Sequence, residues 1–277
     1  MTRLRQSHGT RRRALRAPSD RGDDRAVDLS PPLPGPSPYV LRLAGAALAA
    51  ASVLAAPVAA HAARPMVTDD ARIVDAKACQ LESWVRADRD GGVGFWALPG
   101  CNPFGGFELT LGGASLAPEG GDRRLALQAQ VKTLLRPLQP DGWGVGFAVG
   151  TLHTRASGAS GAMREPYFYV PASLSVDGDR LVLHANLGAA RLERGVSRDV
   201  RATWGVGIEA ALSARLSLVA ETYGAGGERA QVQLGLRAWI VPDQVQVDAT
   251  VGHQGGSDGA GTWASIGLRL LSPPFLP

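Results

Sequence analysis

The chain has 277 residues, of which 45% are hydrophobic, with 35 glycines, only two lysines and a formal charge of +4. Nine arginines against four aspartates fall within residues 1–62, so the rest of the chain is close to neutral and presents no basic face for nucleic acid. The length allows one large β-domain or two small domains.

Residues 1–38 are rich in Arg, Asp, Ser and Pro ("SPPLPGPSP") and lack apolar periodicity. They read as a disordered prefix and as a gene-start artefact, with translation expected near Val40. Residues 39–62 carry Arg42 as a short positive region, an apolar run from Leu43 to Ala56, a break at Pro57, and Ala60-His61-Ala62 as a small-residue cleavage site. These are the marks of a cleavable secretory signal rather than a membrane anchor, and they put the mature start near Ala63. Export makes the environment oxidising. Cys79 and Cys101 are then expected to form one disulfide rather than a metal pair, because no histidine is near and the spacing is not CxxC.

Residues 63–78 read as a periplasmic lead-in, in which "TDD" (Thr68, Asp69, Asp70) is expected to cap or turn rather than to hold calcium. From Cys79 onward apolar and polar residues alternate with a period of two, the mark of β-strands with one apolar face. "CQLESWVR" (79–86) opens the series. Val93 to Leu98, "GGFELTLGG", "RLALQAQVKT" and "WGVGFAVGT" follow. "YFYVPASLSV" holds Pro171 and is expected to be irregular or bulged there. The turn Asp177-Gly178-Asp179 is a strong hairpin signal before "LVLHANLGAARL". "TWGVGIEAALSARLSLVAETYG" (203–224) reads as two strands, with Trp204, Val206 and Ile208 opposite Gly205, Gly207 and Glu209. "AQVQLGLRAWI", a turn at Pro242-Asp243, "VQVDATVG" and "TWASIGLRLL" complete the chain. The pattern specifies an all-β protein and predicts an antiparallel barrel of about 12 strands (10–14) over residues 79–277.

Period two does not say whether the apolar face meets a soluble core or lipid. A lipocalin-like soluble barrel would show the charged face to water. Three features favour a transmembrane barrel. Mid-strand glycines are frequent on the charged face and lysine is nearly absent; aromatic residues (Trp143, Tyr167, Tyr169, Tyr223, Trp239, Trp263) gather near strand ends, as interface girdles do; and an export signal is present. On this reading Glu82, Glu108, Lys132, Glu209, Glu221, Arg237, Asp248 and Arg269 line the lumen.

"RPMVTDDARIVDAKACQLESWV" (64–85) carries a more specific signal. Arg64, Pro65, Thr68, Asp69, Asp70, Gln80 and Glu82 resemble the start of a family of proteobacterial outer-membrane proteins, the transporters of the phenol-degradation meta-pathway type. The end departs from the common barrel pattern of a final aromatic residue, since Phe275 lies two positions short of it. The resemblance implies a Gram-negative outer-membrane location and passage of small, hydrophobic or aromatic solutes. The expected surroundings are outer-membrane lipid, lipopolysaccharide and the barrel-assembly machinery, and the expected state is a monomer. A non-conducting structural or binding barrel is the alternative, and an outer-membrane enzyme with a rim site a third.

Catalysis is not expected. "GGSDG" (255–259) matches a G-x-S-x-G elbow but sits between strands rather than before a helix. "GVGIEA" lies in mid-strand with no phosphate-binding helix after it. His153, His184 and His253 fall on separate strands, and an esterase would need a Ser or Asp beside one of them. No cofactor or metal is expected.

Overall fold

A computed structural model describes residues 66–156, 162–255 and 261–277. The prefix, the signal segment, the start of the lead-in (63–65) and Ser257 of the "GGSDG" turn lie outside the described residues. Each alternating segment is a strand: β1 (Cys79–Asp88), β2 (Val93–Cys101), β3 (Phe107–Ala117), β4 (Arg124–Arg136), β5 (Trp143–Ala156), β6 (Ala162–Val176), β7 (Leu181–Arg194), β8 (Ser197–Ala211), β9 (Leu216–Ala225), β10 (Gln231–Val241), β11 (Val245–Gln254) and β12 (Thr262–Leu271). Neighbours in sequence pair antiparallel, and β1 pairs with β12, which closes a barrel of 12 strands and leaves no sheet edge. No helix occurs among the described residues.

The hairpins follow their turn chemistry. Asp177, Gly178 and Asp179 all have positive φ (55°, 62° and 67°) between β6 and β7, and Asp243 (57°) turns β10 into β11. Pro171 causes no slip. Val145 opposite Ala172 and Ala148 opposite Tyr169 share one register, and Pro171 itself sits opposite Asn186 on β7. The expected bulge is therefore absent. The register shifts lie elsewhere, at Leu134/Arg136 and Trp239/Val241.

The alternation assigns the faces. Leu111, Leu127, Leu187, Val206, Leu234, Val251 and Ile266 point outward and are exposed, Ile266 to 69%. Glu108, Lys132, His184, Glu209, Arg237, Gln246 and Arg269 point inward and are buried. A soluble barrel has the opposite arrangement. An apolar belt of this extent around a barrel is what hydrocarbon covers and water does not.

The aromatic girdle needs correction. Of the six residues expected to form it, only Trp143 faces outward; Tyr167, Tyr169, Tyr223, Trp239 and Trp263 share the inward faces of their strands. Tyr223, Trp239 and Trp263 sit near strand ends, as the sequence suggests, whereas Tyr167 and Tyr169 lie toward the middle of β6, and parity along the strand turns all five into the lumen. The outward aromatic residues include Phe95, Phe147, Phe168 and Trp204. The disulfide does form, between Cys79 and Cys101, which face each other across β1 and β2 at the end of the barrel where the chain enters the sheet.

Candidate functional site

The lead-in is not a periplasmic strap. Residues 66–78 run inside the barrel, where Met66, Thr68, Asp70, Ala71, Val74 and Ala78 are buried. An extended chain in a lumen carries backbone donors that no sheet partner satisfies, and each must find an acceptor. The inward faces supply them. Both carboxylate oxygens of Glu221 accept from the segment, Val67 N–H at 2.7 Å and Thr68 N–H at 2.6 Å. Ser173 Oγ accepts from Ala71 N–H (2.9 Å) and Glu108 Oε2 from Val74 N–H (2.9 Å). The side-chain amide of Asn186, oriented to satisfy both of its ends, accepts from Asp69 N–H (2.7 Å) and donates to Asp69 O (2.8 Å).

The aspartates anchor the segment electrostatically. Lys132 Nζ lies 2.8 Å from Asp69 Oδ1 and 3.3 Å from Asp70 Oδ1, and Tyr169 donates to Asp69 Oδ2 at 2.6 Å. Arg72 reaches Asp179 in the β6–β7 turn at 3.3 Å. Two glycines make room. A Cβ on Gly205 would lie 2.5 Å from Thr68 Oγ1, and one on Gly207 would run into Met66 Cε. The mid-strand glycines of "TWGVGIEA" thus mark where the segment passes β8.

Beyond the segment, toward the barrel end remote from Cys79 and Leu271, is a cavity of about 400 Å³. Thr68, Asp69, Asp70 and Arg72 line it together with inward residues of the wall, among them Gln130 and Tyr167. Tyr167 donates to Gln130 Oε1 at 2.9 Å, and its ring stacks on that of Tyr169 with centroids 6.2 Å apart.

The predicted lumen residues all face inward, but they divide into groups. Glu82, Glu108, Lys132 and Arg269 line the large cavity. Arg269 donates to Gln80 Oε1 (2.6 and 2.9 Å) and lies 3.8 Å from Glu82. Glu221 holds the segment, with Gln233 donating to it at 2.7 Å. Asp248 lines only a second, small cavity of about 50 Å³. Glu209 and Arg237 line neither cavity. They form a 2.7 Å ion pair with both side chains 2% exposed, so the pair braces β8 against β10 over the inner face of β9. A closed pair of this kind is structural and offers no open charge to a solute.

Asp70 Oδ1 accepts from Arg72 N–H at 3.1 Å, a local turn of the kind the sequence suggests, but inside the barrel, where Thr68, Asp69 and Asp70 are also the part of the segment the wall grips. Ser173, Tyr169 and Asn186 complete that grip; the sequence reads Tyr169 as a girdle residue and does not single out the other two. Their only sequence signal is inward parity, because their partners lie about 100 positions or more away in the chain.

A serine does stand beside a histidine. Ser173 Oγ and His184 Nδ1 are 2.9 Å apart, but beneath the segment rather than at a rim, and His184 Nε2 has no partner among the described residues. A general-base histidine is oriented by a carboxylate on its second nitrogen, and this pair has none. His253 bonds Thr262 Oγ1 at 3.0 Å, and His153 is exposed on the outer face. Among the described residues no cluster of three or more His, Cys, Asp or Glu side chains is placed to hold a metal.

A family model described as "Uncharacterised conserved protein UCP029691" matches residues 50–271. No curated protein matches the chain. Among solved structures, the KdgM porin superposes with a TM-score of 0.50 at 10% identity, over 69% of this chain and 98% of its own. The outer-membrane protein Omp33 of Acinetobacter baumannii gives 0.41 at 9% identity over 69% and 96%. The outer-membrane phospholipase A of Escherichia coli gives 0.41 at 12% identity over 72% and 91%. At 10% identity the likeness to the KdgM porin is one of fold alone.

Proposed function

The chain belongs to that family, and from this premise we propose that it is an outer-membrane β-barrel that handles small solutes through a lumen closed at rest by its own N-terminal segment. One observation carries the reading: residues 66–78 cross the interior on contacts to Lys132, Glu221, Ser173 and Glu108, with an occupiable cavity of about 400 Å³ beside them. The exposed apolar belt supports an outer-membrane location. Delivery by the signal at 39–62, insertion by the barrel-assembly machinery, a Gram-negative host and a monomeric state belong to the same reading. No catalytic role is assigned.

The segment is held mainly by hydrogen bonds and ion pairs, which exchange for water at little net cost once wetted. Passage requires it to move. Solutes that are small and hydrophobic or aromatic, as the resemblance of Arg64 to Val85 implies, would meet the Tyr167–Tyr169 stack. A barrel whose segment stays in place is a binding module, which the cavity also supports.

Planar-bilayer recording separates the two. For a gated channel, the intact mature barrel should show rare openings, and a chain starting at Cys79 should show steady conductance. A truncated barrel that folds and stays closed would overturn the gating role.

A further inference from the structure

The outer face carries a feature that the lumen does not explain. Strands β5 to β8 are among the longest in the barrel, at 14, 15, 14 and 15 residues. At the barrel end remote from Cys79 and Leu271 their registers align His153, Arg164, Glu193 and Arg198 in one row, since His153 opposes Arg164, Arg164 opposes Glu193, and Glu193 opposes Arg198. Arg191 lies on the same outward face of β7 two residues nearer the middle, opposite Val200, and Arg155 lies two residues beyond His153 on β5. All four arginines are exposed.

Strand parity turns the remaining strand arginines inward, except Arg136, which stacks on Trp143 at the opposite end. At the remote end, the outward strand arginines among the described residues therefore fall on four adjacent strands. The row spans three strand spacings, about 14 Å. Four residues nearer the barrel's middle, about 13 Å along the strand, Val149 opposes Phe168 and Phe168 opposes Ala189 in the apolar belt.

We propose that this row binds the phosphorylated headgroup of an outer-leaflet glycolipid whose acyl chains lie on the apolar belt of β5 to β8. Four guanidinium groups share one carboxylate, Glu193, which Arg191 already engages at 2.5 Å. The excess positive charge calls for anions, and guanidinium is the group that pairs phosphate bidentately. Arginine on a lipid-facing strand is tolerated near the interface and is costly at the midplane, and the row stands at the strand ends. Continuity with the belt favours a lipid over free phosphate, because one molecule then satisfies both surfaces. The proposal rests on the outer-membrane reading above.

The test uses the full mature barrel in phosphatidylcholine nanodiscs, probed with bisphosphorylated lipid A, dephosphorylated lipid A and inorganic phosphate. Lipid A should bind, its affinity should fall as salt rises, and Arg164→Gln/Arg198→Gln should weaken it about tenfold or more. Arg136→Gln at the far end should leave it unchanged, and each variant should keep heat-modifiable gel migration. Equal binding by the double variant, equal binding of the dephosphorylated lipid, or full displacement by inorganic phosphate would each overturn the proposal. Recovery of the protein in the soluble periplasm would instead remove the outer-membrane reading.

Discussion

Lys132 on β4 and Asp69 in the N-terminal segment meet inside the barrel at 2.8 Å, with the lysine side chain 5% exposed. Asp70 shares the same ammonium at 3.3 Å. This small cluster ties a segment that precedes the first strand to the wall of the fourth, and it makes the contents of the lumen part of the fold. Lys132→Met strands two carboxylates without their cation. Breaking a buried pair in this way costs about 3–5 kcal/mol, which the segment can avoid by leaving the lumen. The variant should keep heat-modifiable migration and show more frequent openings in planar bilayers; conductance indistinguishable from wild type would mean that this pair does not hold the closure.

Gly205 and Gly207 give a steric route to the same end. A leucine at either position drives its Cβ into Thr68 or Met66. Gly205→Leu should expel the segment while β8 keeps its pairing. A cysteine placed at Thr68 would then react with a water-soluble maleimide at least about tenfold faster than in the parent, since local opening sets the rate. Equal labelling in both backgrounds would show that the segment yields in place.

The Glu209–Arg237 pair predicts a cycle. Arg237→Met alone should destabilise the barrel by about 3–5 kcal/mol, because it takes the cation from the buried Glu209 carboxylate, and Glu209→Met/Arg237→Met should cost less than the sum of the two single changes. Urea unfolding in detergent reads both. Ion selectivity should not respond, since neither residue lines the large cavity or the small one beside Asp248. A shift in selectivity in the double variant would put the pair on the solute path.

The two faces can be read with tryptophan. Trp143 and Trp204 point outward at 48% and 37% exposure, while Trp239 and Trp263 are buried at 7% and 4%. Brominated lipids should quench single-tryptophan barrels carrying only Trp143 or Trp204 and leave those carrying only Trp239 or Trp263 bright. The reverse result would exchange the faces.

Cys79 and Cys101 close a loop with a sequence separation of 22. Chain-entropy reasoning gives such a crosslink about 3 kcal/mol. Cys79→Ser/Cys101→Ser should therefore form the same barrel with lower resistance to urea, and should free the end of the sheet from which the N-terminal segment departs. No change in the unfolding midpoint would show that the β1–β2 ladder alone fixes that end.

The strands were legible in the sequence because a pleated strand exposes its side chains with a period of two, and this signal is local. It placed Glu209, Arg237 and Arg269 together on one face and Trp204 and Ile208 on the other, and spacing alone marked Asp177-Gly178-Asp179 as a hairpin. The cysteine pair followed from number and compartment. Trp239 and Trp263 read as girdle residues from their place near strand ends, although the same periodicity puts them on the faces of Arg237 and Arg269, which look into the lumen. Periodicity could not place residues 66–78, which have no period. Their position is decided by contacts to Glu221, Lys132, Ser173 and Asn186, groups scattered over four strands of wall that come together only when the barrel closes. Closure also gathers Arg164 and Arg198 into one row, because register between neighbouring strands is a property of pairing, whereas alternation along a strand is a property of the chain.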